Sequence, residues 1–149
     1  MRILKIMAML LVAAGIAAWT LMPGGGRIDP SNAAQVALGR EVYAAHCASC
    51  HGANLEGQPD WRTRKPDGRM PAPPHDASGH TWHHTDDALF ATTREGFAKF
   101  APAGYQTDMP AFGGVLTDGQ IRAVLSYIKS VWPPEIQARQ SARTQQAKE

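Results

Sequence analysis

The feature that most restricts this chain is the pentapeptide Cys47-Ala48-Ser49-Cys50-His51. The chain has only these two cysteines, which are too few and too close together for the disulfide framework of a small secreted domain. A redox CxxC pair usually opens a helix after a β-strand, and no strand pattern precedes Cys47. A zinc site would need a second pair of ligands at matching spacing, but the other histidines are scattered.

The chemistry that fits this spacing is covalent haem attachment. Two thiols on one short turn can add to the two vinyl groups of haem, and the adjacent histidine then lies over the iron. We therefore predict that Cys47 and Cys50 bind one haem c covalently and that His51 is an axial ligand of its iron. Covalent attachment also suits a body of about 105 residues, because a domain of that size buries only a modest share of its surface.

The sequence around the motif resembles the class I monohaem cytochromes c, over nearly all of residues 30–132. Two stretches carry the resemblance: Gly39-x-x-x-Tyr43-x-x-x-Cys47 for the first helix, and Leu125-x-Tyr127-Ile128 for the last. The resemblance implies an all-α cytochrome c fold, with three main helices and long loops wrapped around one covalently bound haem. It also implies that Gly39 lets these two helices cross closely and that Tyr43 belongs to the haem pocket.

The second axial ligand of the iron has three candidates. Met109 lies late in the chain, in a loop before the last helix, from which it could reach the haem face opposite His51. Thioether ligation favours ferrous iron and raises the reduction potential relative to two histidines. The segment Met109-Pro110-Ala111-Phe112 also resembles the one that delivers the distal methionine in the family. We predict Met109, with Met70 and a loop histidine as the alternatives.

A long loop over residues 52–84 follows the motif and is rich in glycine, proline and polar residues. This is where the chain departs from the shortest members of the family. The resemblance implies that the carbonyl of a loop proline hydrogen-bonds the second nitrogen of His51, which would set the tautomer and ligand strength of that histidine. Pro71, Pro73 and Pro74 are the candidates for this carbonyl, and we predict Pro73 for the haem pocket.

The segment Gly79-His80-Thr81-Trp82-His83-His84 lies in the same loop. The resemblance implies that Trp82 lines the haem edge and that neighbouring donors hold the haem propionates. Alternatively, the histidines of this segment and His75 could bind a second metal such as copper. A polar surface loop with one buried tryptophan is the third interpretation, and we favour it over the metal site.

The N-terminus carries a targeting pattern. Arg2 and Lys5 precede an apolar run over residues 6–22, and Pro23-Gly24-Gly25-Gly26 follows as a flexible tether. The run is slightly short of the roughly 20 residues of a typical membrane helix, and no clear A-x-A cleavage site follows. We predict a signal peptide or, preferably, a retained signal-anchor, with the body exported to the bacterial periplasm and held at the inner membrane.

Helix signals organise the body into a cytochrome c domain over residues 27–134. Asp29-Pro30-Ser31 is predicted to begin the first helix, Thr85 to cap a short helix that ends at Gly96, and Thr117-Asp118-Gly119-Gln120 to cap the last. Pro133 and Pro134 should end that helix. Residues 135–149 form a polar tail that we expect to be frayed helix or disordered.

Charge narrows the choice of partners. The chain has 15 Lys and Arg against 13 Asp and Glu, and no basic stripe interleaved with aromatic residues, so nucleic acid is not an expected partner. One local basic cluster is present, and it predicts a solvated loop or, alternatively, a docking patch for an acidic redox partner. Its members are Arg62, Arg64, Lys65 and Arg69.

These features together predict a monohaem c-type cytochrome that transfers single electrons between membrane or periplasmic proteins. Six-coordinate iron leaves no position for a substrate, so we expect a monomeric electron carrier that is not an enzyme. Two alternatives stay open. One is a five-coordinate haem enzyme or small-ligand-binding protein, and the other is a cytochrome subunit of a larger membrane oxidoreductase.

Overall fold

The structure, a computed structural model, describes residues 26–149, so the predicted N-terminal signal or anchor lies outside the described residues except for Gly26. This range forms five α-helices and two short 3₁₀ turns, Thr81–His83 and Phe97–Lys99. The helices are α1 (Ala33–His46), α2 (Ala48–His51), α3 (Asp86–Glu95), α4 (Asp118–Ser130) and α5 (Pro134–Gln146). No strand occurs within the range, which confirms the predicted all-α class. Among these same residues, no helix combines the length and apolar composition needed to cross a membrane.

Helix α1 begins slightly later than the sequence predicts. Its N-cap is Asn32, whose side chain accepts a hydrogen bond from the Gln35 N–H at 3.0 Å. Asp29 instead accepts hydrogen bonds from the N–H and hydroxyl of Ser31. Ser31 and Asn32 both have side chains suited to capping, and the chain uses the one adjacent to the alanine-rich run.

The core lies where α1 crosses α4, as the family resemblance implied. Gly39 is buried at this crossing, and a Cβ atom there would lie 2.5 Å from the carbonyl carbon of Ala123 and 2.9 Å from Cβ of Tyr127. Only a residue without a side chain allows the two backbones to approach so closely. Ser126 is fully buried in α4 and donates a hydrogen bond to Gln35 of α1 at 2.9 Å, which fixes the two helices in register.

Helices α3 and α4 begin where their capping residues predict. Thr85 accepts a hydrogen bond from the Ala88 N–H, and α3 ends at Gly96, whose φ is +84°. Thr117 and Gln120 form the complete capping box at the start of α4. The apolar face of α4 then supplies the most buried part of the core: Ile121, Val124, Leu125 and Ile128.

Most of the polar tail is ordered as helix α5 (Pro134–Gln146), whereas frayed helix or disorder was expected for residues 135–149. Pro134 opens α5, where its fixed φ and missing N–H are tolerated. Gln140 is fully buried and donates from Nε2 to the His84 carbonyl at 3.1 Å and to Asp86 Oδ1 at 2.7 Å. The sequence did not indicate this order because buried hydrogen bonds, more than an apolar stripe, anchor the helix.

Candidate haem attachment site

The cysteine motif lies on one tight turn directly after α1. The His51 N–H donates to the Cys47 carbonyl at 2.9 Å, and the Cys50 N–H donates to the same carbonyl at 3.1 Å. Both thiols are free: Cys50 is exposed and Cys47 is partly buried. Burial, with a smaller effect of the nearby Cys50, raises the pKa of the Cys47 thiol to about 11, so that thiol is protonated at neutral pH.

The imidazole of His51 is oriented by the loop that follows. His51 is buried, and its Nδ1 lies 2.8 Å from the carbonyl oxygen of Pro73. A carbonyl oxygen can only accept, so Nδ1 carries the proton and the lone pair of Nε2 is left for a metal. Burial lowers the pKa of His51 and outweighs the opposite effect of the Pro73 hydrogen bond. The histidine is therefore neutral at pH 7, which is the state that binds metal.

His75 stacks on the ring of His51. The two ring centroids are 3.9 Å apart with an interplanar angle of 22°. His75 is itself held by Thr81, whose Oγ1 lies 2.8 Å from His75 Nδ1, and by Trp132, whose Nε1 donates to the His75 carbonyl at 2.8 Å. This stacking could not be predicted from the sequence, because no local pattern marks a residue that packs on another 24 positions away.

Tyr43 connects α1 to the end of the motif. Its ring is buried, and its hydroxyl lies 2.9 Å from the Gly52 carbonyl and 3.3 Å from the His51 carbonyl, to both of which it can donate. Burial is the main cause that raises the pKa of this phenol well above its usual value. Tyr43 therefore holds the backbone at the end of α2, next to His51. The resemblance placed Tyr43 in the haem pocket but did not specify this hydrogen bond.

Met109 lies in the loop between the second 3₁₀ turn and α4. It is partly buried, and its N–H donates to Thr107 Oγ1 at 3.1 Å. Three residues further on, the Phe112 N–H donates to the Thr93 carbonyl at 3.0 Å and so attaches the loop to α3. Met70 is also partly buried, but it follows a tight turn in the other long loop.

Trp82 lies on the first 3₁₀ turn, partly buried, with its Nε1 donating to the Ala77 carbonyl at 3.3 Å. The neighbouring histidines point to different partners. His80 stacks on Trp61 at 5.4 Å, whereas His83 packs on Trp82 at 3.8 Å. Across residues 26–149, no group of three or more His, Cys, Asp or Glu is placed to hold a metal ion, so the copper hypothesis gains no support.

Comparison with known proteins identifies the family of this chain. Residues 36–132 match the protein-family model described as Cytochrome c, which covers more than half of the chain. The chain belongs to the cytochrome c family. It is 30% identical to cytochrome c6 of Picosynechococcus sp. over 99 residues, which is 66% of this chain and 75% of that protein.

A second similarity of this cytochrome is shorter. The chain is 42% identical over 52 residues to the cytochrome bc1 complex cytochrome c subunits of Mycobacterium bovis and Mycobacterium tuberculosis. That match covers 34% of this chain and spans only 19% of the length of those relatives. No solved structure gave a significant match.

Family membership makes haem c the cofactor of this cytochrome. The donor set described above suits that cofactor. Two free thiols lie on one turn, and the adjacent imidazole is neutral with Nδ1 already hydrogen-bonded. The local structure thus presents two thiols of the kind from which haem thioethers are made and one nitrogen that can bind iron.

Proposed function

We propose that this cytochrome is a monohaem electron carrier in which Cys47 and Cys50 form the thioethers and His51 and Met109 ligate the iron. The observation that carries the proposal is the His51 imidazole, which a hydrogen bond to Pro73 orients beside the two free thiols. When bound, the haem supplies reversible one-electron chemistry. The protein's part is to keep both ligands in place in the two oxidation states, so that little reorganisation accompanies transfer.

Met109 is preferred over Met70 because of how its loop is attached. The loop is tied to α3 through Phe112 and lies directly before the capped start of α4, two elements that pack on each other. Attachment to these two helices limits the positions that a ligand on this loop can take. Met70 follows the Lys65–Arg69 turn, whose internal hydrogen bond does not connect it to a helix.

The test is the absorption spectrum of purified protein, oxidised and reduced, compared with Met109→Ala. Methionine ligation of oxidised haem gives a weak band at the red end of the visible spectrum, and we expect that band in the parent protein and not in the variant. Met70→Ala is the matched control and should retain the band. If Met109→Ala keeps the band, Met109 is not the ligand. A high-spin spectrum in the parent protein would instead indicate a five-coordinate haem and sink the carrier assignment.

A second candidate function is that of a cytochrome subunit within a larger membrane oxidoreductase, favoured by the similarity to the mycobacterial bc1 subunits. We propose protein redox partners in either case. Mild detergent extraction followed by affinity purification distinguishes the two: a stoichiometric membrane complex indicates a subunit, and a lone chain indicates a carrier.

Export to the periplasm and anchoring through residues 1–26 are also part of the proposal. They rest on the basic flank and apolar run of the sequence. Covalent haem attachment gives an independent reason to expect export, since the family's members are typically exported. The mass of the mature protein tests one requirement of the anchor: a chain that retains Met1 or Arg2 is uncleaved, as an anchor requires, and a chain that begins after residue 15 has been cleaved.

A further inference from the structure

The loop over residues 58–72, here called the basic loop, has a defined shape without a helix or strand. Its two ends are joined because the Gln58 N–H donates to the Ala72 carbonyl at 2.9 Å, and the Ala72 N–H donates to the Gln58 side chain at 2.9 Å. Its tip is a turn in which the Lys65 N–H donates to the Arg69 carbonyl at 2.8 Å. The loop therefore presents its basic side chains from a preformed frame.

The basic side chains of this loop reach the loop that carries Met109. Lys65 Nζ lies 3.3 Å from Asp108 Oδ2, and Arg69 Nη1 lies 3.3 Å from Asp108 Oδ1. Each oxygen of one carboxylate thus has its own cation. The guanidinium of Arg64 lies 5.2 Å from the ring centroid of Tyr105, a cation–π contact with the same loop. Arg64, Lys65 and Arg69 therefore make contacts within the chain while their side chains remain partly exposed.

The residue next to the carboxylate is the proposed distal ligand. Asp108 precedes Met109, and Pro110 with its fixed φ follows. The chain is then held again at Phe112 through α3. Met109 accordingly lies in a short stretch that is restrained on both sides, by ion pairs before it and by a backbone hydrogen bond after it.

We propose that Asp108, Lys65 and Arg69 form a clamp that positions Met109 and so limits how easily another ligand displaces it. The inference rests on the proposed ligation by Met109. These three residues touch neither the haem iron nor a redox partner in this scheme, so they are positioning residues. Their effect is on the equilibrium between bound and detached methionine, since the apparent affinity of a competing ligand scales with the detached fraction.

The size of the effect follows from the exposure of the pairs. The side chains of Lys65, Arg69 and Asp108 are 35%, 40% and 50% exposed, so water and salt screen the ion pairs. Partly exposed ion pairs shift a conformational equilibrium such as methionine detachment only modestly, although two pairs share the Asp108 carboxylate here. We expect Asp108→Asn to raise the affinity of an external ligand by about three- to ten-fold.

The experiment is a titration of the oxidised holoprotein with imidazole, followed by the loss of the methionine band. Asp108→Asn should bind imidazole more tightly, and Lys65→Gln/Arg69→Gln should do so by a similar factor. Adding Asp108→Asn to that double variant should produce little further change, because all three changes remove the same interaction. Rising salt should increase imidazole affinity in the parent protein and leave Asp108→Asn nearly unaffected.

The matched control is Asp118→Asn. It removes a carboxylate of similar exposure, 47%, from an ion pair with Arg94 at 3.1 Å, outside both long loops. Its imidazole affinity should equal that of the parent. An unchanged affinity in Asp108→Asn overturns the clamp, and so does an equal rise in Asp118→Asn. Failure of the ligation itself is recognised separately, since Met109→Ala would then retain the methionine band.

Discussion

At the scale of single residues, the position of His51 depends on two neighbours from the loop that follows it. The Pro73 carbonyl selects the tautomer by accepting from Nδ1, and the stacked ring of His75 limits rotation of the imidazole. Contacts within the protein thus orient the proposed iron-binding nitrogen.

His75 also makes the fold sensitive to acid. Burial, followed by smaller effects of His51 and His80, lowers the pKa of His75 well below its usual value. The unfolded chain therefore binds a proton below about pH 6.5 that the folded chain does not, and the free energy of unfolding falls as the pH is lowered. For one group the slope is at most about 1.4 kcal/mol per pH unit. We expect His75→Gln to flatten this slope in denaturant unfolding of the holoprotein.

The control for that prediction is His46→Gln, which removes an exposed histidine at the end of α1. Both variants are measured over the same pH range as the parent protein. A parent and a His75→Gln variant with the same slope between about pH 7 and pH 5 would show that His75 does not remain neutral in the fold.

At the scale of elements, polar contacts bind α5 to the first residue of α3 and to His84 just before that helix. Gln140 donates to His84 and Asp86, and Asp86 also pairs with Lys129 of α4 at 2.6 Å, with the Lys129 side chain only 4% exposed. Thr144 accepts a hydrogen bond from the Asp86 N–H at 3.1 Å. Helices α3, α4 and α5 therefore meet at the Asp86 carboxylate. Through the hydrogen bond to His84, α5 also stabilises the adjacent 3₁₀ turn on which Trp82 lies.

We expect Gln140→Ala to lower the free energy of unfolding by about 1–3 kcal/mol, because it leaves the part-buried His84 carbonyl and one oxygen of the Asp86 carboxylate without this donor. Gln145→Ala is the control, since Gln145 is exposed on the same helix and the two changes alter helix propensity equally. Chemical denaturation measures both. Equal losses in the two variants would contradict a structural role for the buried amide.

At the scale of the whole molecule, the apolar core is concentrated between α1 and α4. The two long loops contribute few buried apolar side chains, chiefly Leu55 and Leu116, and Phe100 is 51% exposed. In a small domain whose core is so localised, few buried apolar contacts stabilise the loops. The covalent cofactor would supply the apolar surface that these loops lack, which gives a physical reason for attaching it permanently.

A chain that cannot attach the cofactor should therefore lose loop order first. We expect Cys47→Ser/Cys50→Ser to release its haem on denaturation and to be cut by protease within residues 58–72 and 97–111 before the helices are cut. Ser49→Ala, a change within the same turn, should keep the haem through denaturation and resist cleavage like the parent. Haem staining of a denaturing gel and mapping of the fragments measure these outcomes. Retained haem in the double variant would contradict attachment through these thiols.

Several features could be predicted from the sequence because their signals are local. The capping residues Thr85 and Thr117 specify helix starts through hydrogen bonds that close within three or four residues. The spacing of Cys47, Cys50 and His51 places all three on one turn for the same reason. The order of the tail could not be predicted, since its anchor, the Gln140 amide, binds residues more than 50 positions away.

The sequence by itself determined the cofactor class and the all-α fold, because adjacent residues on one turn and the caps of α3 and α4 need no distant partner. The tertiary structure alone decided which proline accepts from His51, that His75 stacks on it, and that Lys65 and Arg69 pair with Asp108 beside Met109. These contacts join loops that are far apart in sequence. The geometry of these contacts depends on how α1 and α4 cross, and no periodic pattern in the sequence predicts that geometry.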